Sequence, residues 1–445
     1  MTPLFSAIQR HPLWVIWLVA AGLRAAYVLF AARSPFVVVD SAEYDTIARA
    51  LLDGRGLTEA GTAGIRPPLY PLFVAGMYAL GGSAALQIAQ VVVSATTVVG
   101  IAKLGGILHG SRTSWVAGAF AAVYPWFFFS VGGLATETLF TLLVVATFIA
   151  LLQAAKERRS FLVVISGVTF AAASLVRSNF LIFGPLLFAW WWWQSGRFRQ
   201  ALYFFLGASI ALAPFTIYNV LQGNGLAIAS SGGGVAFYMG NNPDHTLLYS
   251  GELSDEEWRE LNSRGIGAAG LAFAGCSAMP CKPVAERDAF FYDAGFRYIA
   301  TYPGDWAVTT LRKIIRTWQP WVDPLAYSIP MVVLSGASFT ALMVLALLGI
   351  PRTNRPSRGL MVVLALGITA TSVVFLANLR YRFPILDPFL LAAAGSQLHV
   401  IVKWMIDARM LPASVLSKRP GVSAVELLIP SSARLDHTAP DQGQR

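Results

Sequence analysis

"YPWFFFSVGGLATETLFTLLVVATFIALL", Tyr124 to Leu152, decides the class of this protein. Its apolar run, near 137–155, matches the roughly 20 residues that a helix needs to cross hydrocarbon. The run carries a single acid, Glu137, at its start. A carboxylate at that depth is costly and is expected to face a protein cavity or a partner rather than lipid. The plainer alternative is a helix start, with Glu137 complementing the dipole after Thr136. Similar runs lie near 13–32, 84–108, 114–131, 161–176, 180–194, 201–219, 326–350, 359–378 and 384–402, giving ten expected spans. Hydrophobic residues make up 56% of 445, charged residues only 13%, and mean hydropathy is +0.59. Soluble domains carry about a quarter charged residues, so the chain reads as an all-α polytopic membrane protein. Two cysteines exclude a disulfide scaffold and a zinc cluster.

The basic residues set the orientation. Arg10, Arg112, Lys156, Arg158, Arg159, Arg197, Arg199, Arg352, Arg355 and Arg358 fall in loops on one side, with Glu157 as the lone acid among those short loops. By the positive-inside rule both ends are expected to be cytoplasmic. This distribution, rather than nucleic-acid binding, accounts for the net charge of +10. The first run is too long for a signal-peptide core and has no A-x-A-like site, so it reads as a retained span. Residues 403–445 read as a cytoplasmic, disordered tail, rich in Pro, Ser and charge.

Two outward segments are longer than connectors need to be. In the first, 33–83, "SAEYDTIARALL" sets Tyr44, Ile47, Ala48, Leu51 and Leu52 at helical spacing opposite Asp45 and Arg49, which predicts an interfacial amphipathic helix. "RPPLYPLFVAGMYALGG" follows; its apolar part is too short for a span and reads as a re-entrant or interfacial helix. The second, 221–323, opens with the Gly-rich "SSGGGVAF", has a capping-box helix start at Ser254 and Glu257, and holds Cys276 and Cys281 in a tight loop where a local disulfide is expected. "VAERDAFFYDAGFRYIAT" reads as a helix, and "DWAVTTLRKIIRTW" as an amphipathic, basic helix riding the interface.

Several polar residues stand out from this apolar background. Asp40 and Glu43, three apart at a helix start, can point the same way. Capping explains them equally well, but a site where an apolar floor meets water also makes a carboxylate more basic. Arg24, inside the first span, is read as a structural pairing. Arg66, Lys313, Arg316, Arg380 and Arg382 lie on the outward side, and their convergence beside carboxylates suits an anionic head group. No Walker A loop, dinucleotide fingerprint, HExxH or paired histidine is present.

The order of a first span, "VVVDSAEYDTIARALLDGRG", "RPPLYPLF", "ATETLF", "MGNNPD" and a late "RYRFPIL" resembles glycosyltransferase family 39: the bacterial relatives of protein O-mannosyltransferases and the lipid A aminoarabinose transferase. The resemblance covers about residues 10–400. It implies a GT-C membrane fold over residues 1–402, a bacterial inner-membrane location, and a polyprenyl-phosphate sugar as donor. It also implies Asp40 as the acid near the acceptor, Arg66 as the contact to donor phosphate, and Glu137 as the acid at a span start. Arg380, Arg382 and Lys313 are further expected phosphate contacts, and Tyr44, Tyr70, Asn241 and Tyr381 are expected to line the substrate. Those enzymes' protein-modifying members carry an adjacent Asp-Glu. Here Ser41 follows Asp40, which favours a lipid or envelope-glycan acceptor over protein. Glu43 and Glu137 can orient substrate or hold a divalent cation, Mg²⁺, Mn²⁺ or Ca²⁺, although nothing demands one. The readings from other classes are a secondary transporter of an anionic solute, which would need ionisable residues inside several spans, and a non-catalytic binder of lipid head groups, which would not need Asp40.

Overall fold

The computed structural model of the protein describes residues 13–31, 41–59, 62–63, 66–242, 284–322 and 328–410. Asp40, Cys276, Cys281, the Ser254 helix start and the tail beyond 410 lie outside these residues. Helices dominate. In chain order they are α1 (Leu13–Phe30), α2 (Ser41–Leu52), α3 (Leu69–His109), α4 (Ser111–Val123), α5 (Pro125–Phe129), α6 (Thr136–Glu157), α7 (Ser160–Val176), α8 (Phe183–Ser195), α9 (Phe198–Leu221), α10 (Gly233–Gly240), α11 (Val284–Thr301), α12 (Pro303–Trp318), α13 (Ile329–Gly349), α14 (Arg355–Val374) and α15 (Leu379–Met410). A two-residue hairpin, β1 (Thr58–Glu59) against β2 (Thr62–Ala63), is the only sheet among the described residues. The chain divides into two compact units, 1–398 and 399–445, and the site described below lies wholly in the first.

The expected apolar runs fall largely in helices, although the run near 114–131 is split at Tyr124 between α4 and α5. Among the described residues seven helices are long and apolar enough to cross a membrane: α1, α3, α6, α9, α13, α14 and α15; α4 and α7 form shorter apolar helices. The run expected near 180–194 begins as a 3₁₀ turn, Ser178–Ile182, before α8.

α3 joins the short first-loop stretch to the second expected span. Its 41 residues would extend about 60 Å if straight, twice a hydrocarbon core of about 30 Å. Instead it breaks at Gly81 and Gly82, where Gly82 takes φ 68 and ψ −151, a combination essentially reserved for glycine. The break is a sharp reversal. Tyr70 Oη lies 3.4 Å from Gln90 Oε1, whereas 20 residues of straight helix would hold the two positions about 30 Å apart. The segment before the glycines therefore folds back beside the segment after them, and the residues from Leu69 up to the glycines form a separate helical arm.

α2 packs on this arm with part of the face predicted from its spacing: Tyr44, Ile47 and Ala48 are buried, while Leu52, at the end of the helix, is exposed. Asp45, expected on the wet face, is instead half-buried and accepts from Tyr78 Oη of α3 at 2.6 Å and Arg49 Nε at 2.8 Å. Burial raises its carboxyl pKa, but those two hydrogen bonds outweigh it and hold the group below the usual carboxylate value. α12 is amphipathic with its faces reversed from those of a soluble helix. Thr309, Thr310, Lys313 and Thr317 turn inward, while Val308, Leu311 and Ile315 face out.

Arg24 is fully buried and bonds no carboxylate among the described residues. Its guanidinium donates to Ser94 Oγ at 2.6 Å and to the carbonyls of Ala20 at 3.1 Å, Ala122 at 3.0 Å and Ala121 at 3.4 Å. It thus caps the last turn of α4, whose carbonyls have no partner within their own helix.

Candidate functional site

The site begins with the turn that launches α6. Three side chains from three elements hold its carbonyls: Thr138 Oγ1 donates to Ser130 O at 2.7 Å, Gln90 Nε2 to Gly133 O at 2.7 Å, and Ser41 Oγ to Leu134 O at 2.9 Å. The clamp fixes Glu137 in the first turn of α6, where it is 3% exposed. A carboxylate this deep requires paired charge, and two guanidinium groups supply it. Arg177, from the end of α7, donates to Glu137 Oε1 at 2.8 Å and to Thr136 Oγ1 at 3.1 Å. Arg380 Nε, from the start of α15, donates to the same Oε1 at 2.5 Å. Among the described residues the cluster joins two guanidinium groups to one buried carboxylate. Its floor is aromatic: Arg177 lies over Phe140 at 5.8 Å and Tyr381 at 5.3 Å, and Phe140 meets Phe180 edge-on at 5.4 Å.

A second ion pair stands on the α2 side. Arg66 bonds Glu43, with side chains 23% and 24% exposed, and lies over the ring of Tyr44 at 5.9 Å. Tyr44 meets Tyr70 edge-on at 5.1 Å. Because Ser41 reaches Leu134, three residues before Glu137, the start of α2 lies against the start of α6. The fold therefore gathers Glu43, Tyr44, Arg66, Tyr70, Glu137, Arg380 and Tyr381, all expected from the sequence, around one helix junction. It adds Arg177, which follows the apolar run near 161–176. The signal available for it was an arginine ending an apolar run, which in a membrane protein asks for a partner.

Three expected contacts lie elsewhere. Lys313 is fully buried, and its ammonium donates to Gly240 O at 3.0 Å, Val373 O at 3.1 Å and Phe375 O at 3.3 Å. An ammonium has three donors, so none remains for a phosphate; Lys313 instead caps the ends of α10 and α14. Burial lowers it to about 8. Asn241 is spent in the same place. Its Nδ2 donates to Phe237 O at 2.8 Å and Val374 O at 2.9 Å, while its Oδ1 accepts from Trp306 Nε1 at 2.9 Å. Arg382, 1% exposed, donates to Thr317 O at 2.8 Å and Gln319 O at 2.7 Å past the end of α12, with its guanidinium 3.7 Å from the Phe339 ring centroid. Lys313 and Arg382 were expected to meet phosphate and Asn241 to line the substrate; all three instead donate to backbone carbonyls. The partners are unsatisfied helix-end carbonyls, which sequence does not locate.

The glycines of "SSGGGVAF" have a packing role. A Cβ on Gly234 would come within 2.0 Å of Asp288 O, so the glycine permits α11 to lie against α10, and Asp288 Oδ1 accepts from Gly234 N at 2.5 Å. Among the described residues no group of three or more His, Cys, Asp or Glu side chains could hold a metal ion. Glu43 and Glu137 are each engaged by arginine.

Residues 65–218 match the family model described as dolichyl-phosphate-mannose-protein mannosyltransferase. That match covers α3 to α9, including Arg66, Glu137 and Arg177. Among solved structures, the chain is similar to the oligosaccharyltransferase AglB from Archaeoglobus fulgidus in complex with an inhibitory peptide and a dolichol-phosphate. Identity is 15% over 93% of this chain and 53% of that one, with a TM-score of 0.51. The apo form of the Archaeoglobus fulgidus oligosaccharyltransferase matches with 13% identity over 94% and 54% of the two chains, at a TM-score of 0.51. ArnT from Cupriavidus metallidurans bound to undecaprenyl phosphate matches with 13% identity over 92% and 80%, at a TM-score of 0.38. The chain thus spans about half the length of the two archaeal structures, 53% and 54%. No curated protein matches the sequence. The matched segment and the shared helical architecture make this chain an integral membrane protein of the GT-C fold that resembles the family 39 glycosyltransferases.

Proposed function

We propose that the protein is an inverting glycosyltransferase that moves a sugar from a polyprenyl-phosphate donor to a lipid or cell-envelope glycan at the extracytoplasmic face. The observation that carries this reading is the convergence of Arg177 and Arg380 on the buried Glu137, beside the start of α2. The forked donors of Arg177 and Arg380, held at one point by Glu137, have the chemistry that suits phosphate oxygens. The archaeal oligosaccharyltransferase of the same fold was solved with dolichol-phosphate, a lipid phosphate, which supports a donor of that chemistry.

In this mechanism the acceptor hydroxyl oxygen attacks the anomeric carbon from the face opposite the phosphate. The new carbon–oxygen bond forms as the carbon–oxygen bond to phosphate breaks, and the lipid phosphate leaves with the electron pair. Arg177 and Arg380 meet the developing charge on that leaving group, held in place by Glu137 so that they need not reorganise. Glu137 is an orienting group here, since its carboxylate is already bonded to both arginines. Arg66, held by Glu43 at the edge of the same junction, is a further phosphate contact. The acceptor proton passes to a carboxylate, for which Asp40, next to Ser41, is assigned; such a base contributes about 10²–10⁴-fold. Tyr381 offers its ring and hydroxyl to the substrate, while the expected Tyr44 and Tyr70 are buried against each other and support the site from beneath.

Purified protein supplied with radiolabelled polyprenyl-phosphate sugars and a membrane extract is expected to transfer label, and Asp40→Asn to abolish most of that transfer. Full activity in Asp40→Asn would remove the assigned base. Solute uptake by liposomes without sugar transfer from any donor would replace the enzyme reading with the transporter. Binding of polyprenyl phosphate with neither activity would leave a head-group binder.

A further inference from the structure

Gln90 lies in the apolar part of α3 and is 1% exposed. A buried amide is costly unless its hydrogen bonds are made, and both ends of this one are used. Its Nε2 lies 2.7 Å from Gly133 O, and its Oε1 accepts from Tyr70 Oη at 3.4 Å. The orientation is fixed by chemistry, because a carbonyl only accepts and the atom facing Gly133 O must be the nitrogen.

The two ends point to different halves of the site. Gly133 belongs to the turn that sets Glu137, and through it Arg177 and Arg380. Tyr70 carries Tyr44 edge-on at 5.1 Å, and Arg66, paired to Glu43, lies over Tyr44 at 5.9 Å. One side chain thus donates towards the Glu137 cluster and accepts from the ring pair beneath Arg66. The reversal at Gly82 is what brings Tyr70 to it.

We propose that Gln90 is a positioning residue that sets the two halves of the site in register, fixing the distance between the Arg66–Glu43 pair and the Arg177–Glu137–Arg380 cluster. It touches no substrate. The role requires one group that donates and accepts together, which an amide or a protonated carboxyl does and a carboxylate or an alkyl group does not. This inference rests on the glycosyl-transfer reading for its activity assay.

Gln90→Glu keeps the shape and makes the donor depend on pH. As a carboxylate it still accepts from Tyr70 but faces Gly133 O with no proton; as an acid it restores both bonds. Transfer by Gln90→Glu, measured against wild type from pH 5.5 to 8.5, is expected to be roughly tenfold lower at the alkaline end, the value of about one hydrogen bond, and to recover towards wild type at the acid end. Gln90→Leu is expected to stay low throughout, in kcat more than in the KM for donor. A role in packing alone predicts a flat ratio for Gln90→Glu. That flat ratio in folded protein, or wild-type kcat in Gln90→Leu, would overturn the proposal. If wild type transfers no sugar, the functional reading fails separately, and hydrogen exchange decides the inference. Faster exchange over 130–138 and 66–80 in Gln90→Leu supports the coupling, and unchanged exchange refutes it.

Discussion

Glu137 carries one negative charge into a site that holds two guanidinium groups, and the consequences are specific to each residue. Glu137→Gln removes the carboxylate that joins Arg177 and Arg380, which are 10% and 19% exposed. Breaking such a pair costs about 3–5 kcal/mol, and the expected result is a marked drop in melting temperature in detergent. Arg177→Ala and Arg177→Lys are expected to separate charge from geometry. Alanine loses donor affinity and rate by about 10²-fold or more. Lysine keeps the charge but loses the planar fork lying over Tyr381, and should fall between alanine and wild type in the same assay. Lys313 offers a pH test. Its pKa, lowered to about 8 from 10.5 by burial, means that the unfolded chain binds more protons between those values. Stability therefore rises with pH from about 8 to 10.5 and is lowest, for this group, below 8. Melting temperatures of wild type and Lys313→Met across that range should diverge in favour of wild type as pH rises; a constant difference would contradict it. Glu137, Arg66 and Arg380 were legible in the sequence because charge is rare in an apolar chain and each charge needs a partner. Which partner it finds was not legible: Arg380 meets a carboxylate, while Arg382, two residues on, meets carbonyls.

At the scale of elements, periodicity predicted faces correctly and their neighbours only in part. The apolar face of α2 is the buried one, but Asp45 on its edge joins α2 to α3 through Tyr78, because a polar residue beside an apolar stripe can serve as a fastener. α12 shows the opposite limit. Its amphipathic pattern is plain in the sequence, yet its threonines and Lys313 face the protein and its aliphatic residues face away. The pattern gives two faces without saying which one meets the protein. The break in α3 depends on Gly82 in a conformation closed to other residues. Gly82→Ala is expected to cost about 1–3 kcal/mol and to separate Tyr70 from Gln90, so that transfer falls together with stability. A variant of wild-type stability and rate would show that the reversal is tolerant.

For the whole molecule, the positive-inside pattern predicts that Arg55 and Arg158, both exposed, lie on opposite sides of the membrane. In a background lacking Cys276 and Cys281, Arg55→Cys is expected to react with an impermeant maleimide in intact cells, and Arg158→Cys only after permeabilisation. The reverse pattern would invert the orientation. The sequence by itself determined that this is a helical membrane protein, where its apolar runs lie, and which few charges have to be accounted for. Those follow from the cost of placing backbone and charge in hydrocarbon, which acts residue by residue along the chain. Only the tertiary structure decided that Arg177 and Arg380 share Glu137, that Lys313 and Arg382 serve helix ends, and that α3 folds back to bring Tyr70 to Gln90. Those depend on which helix ends pack together, and a partner 20 to 243 positions away leaves no mark in local spacing.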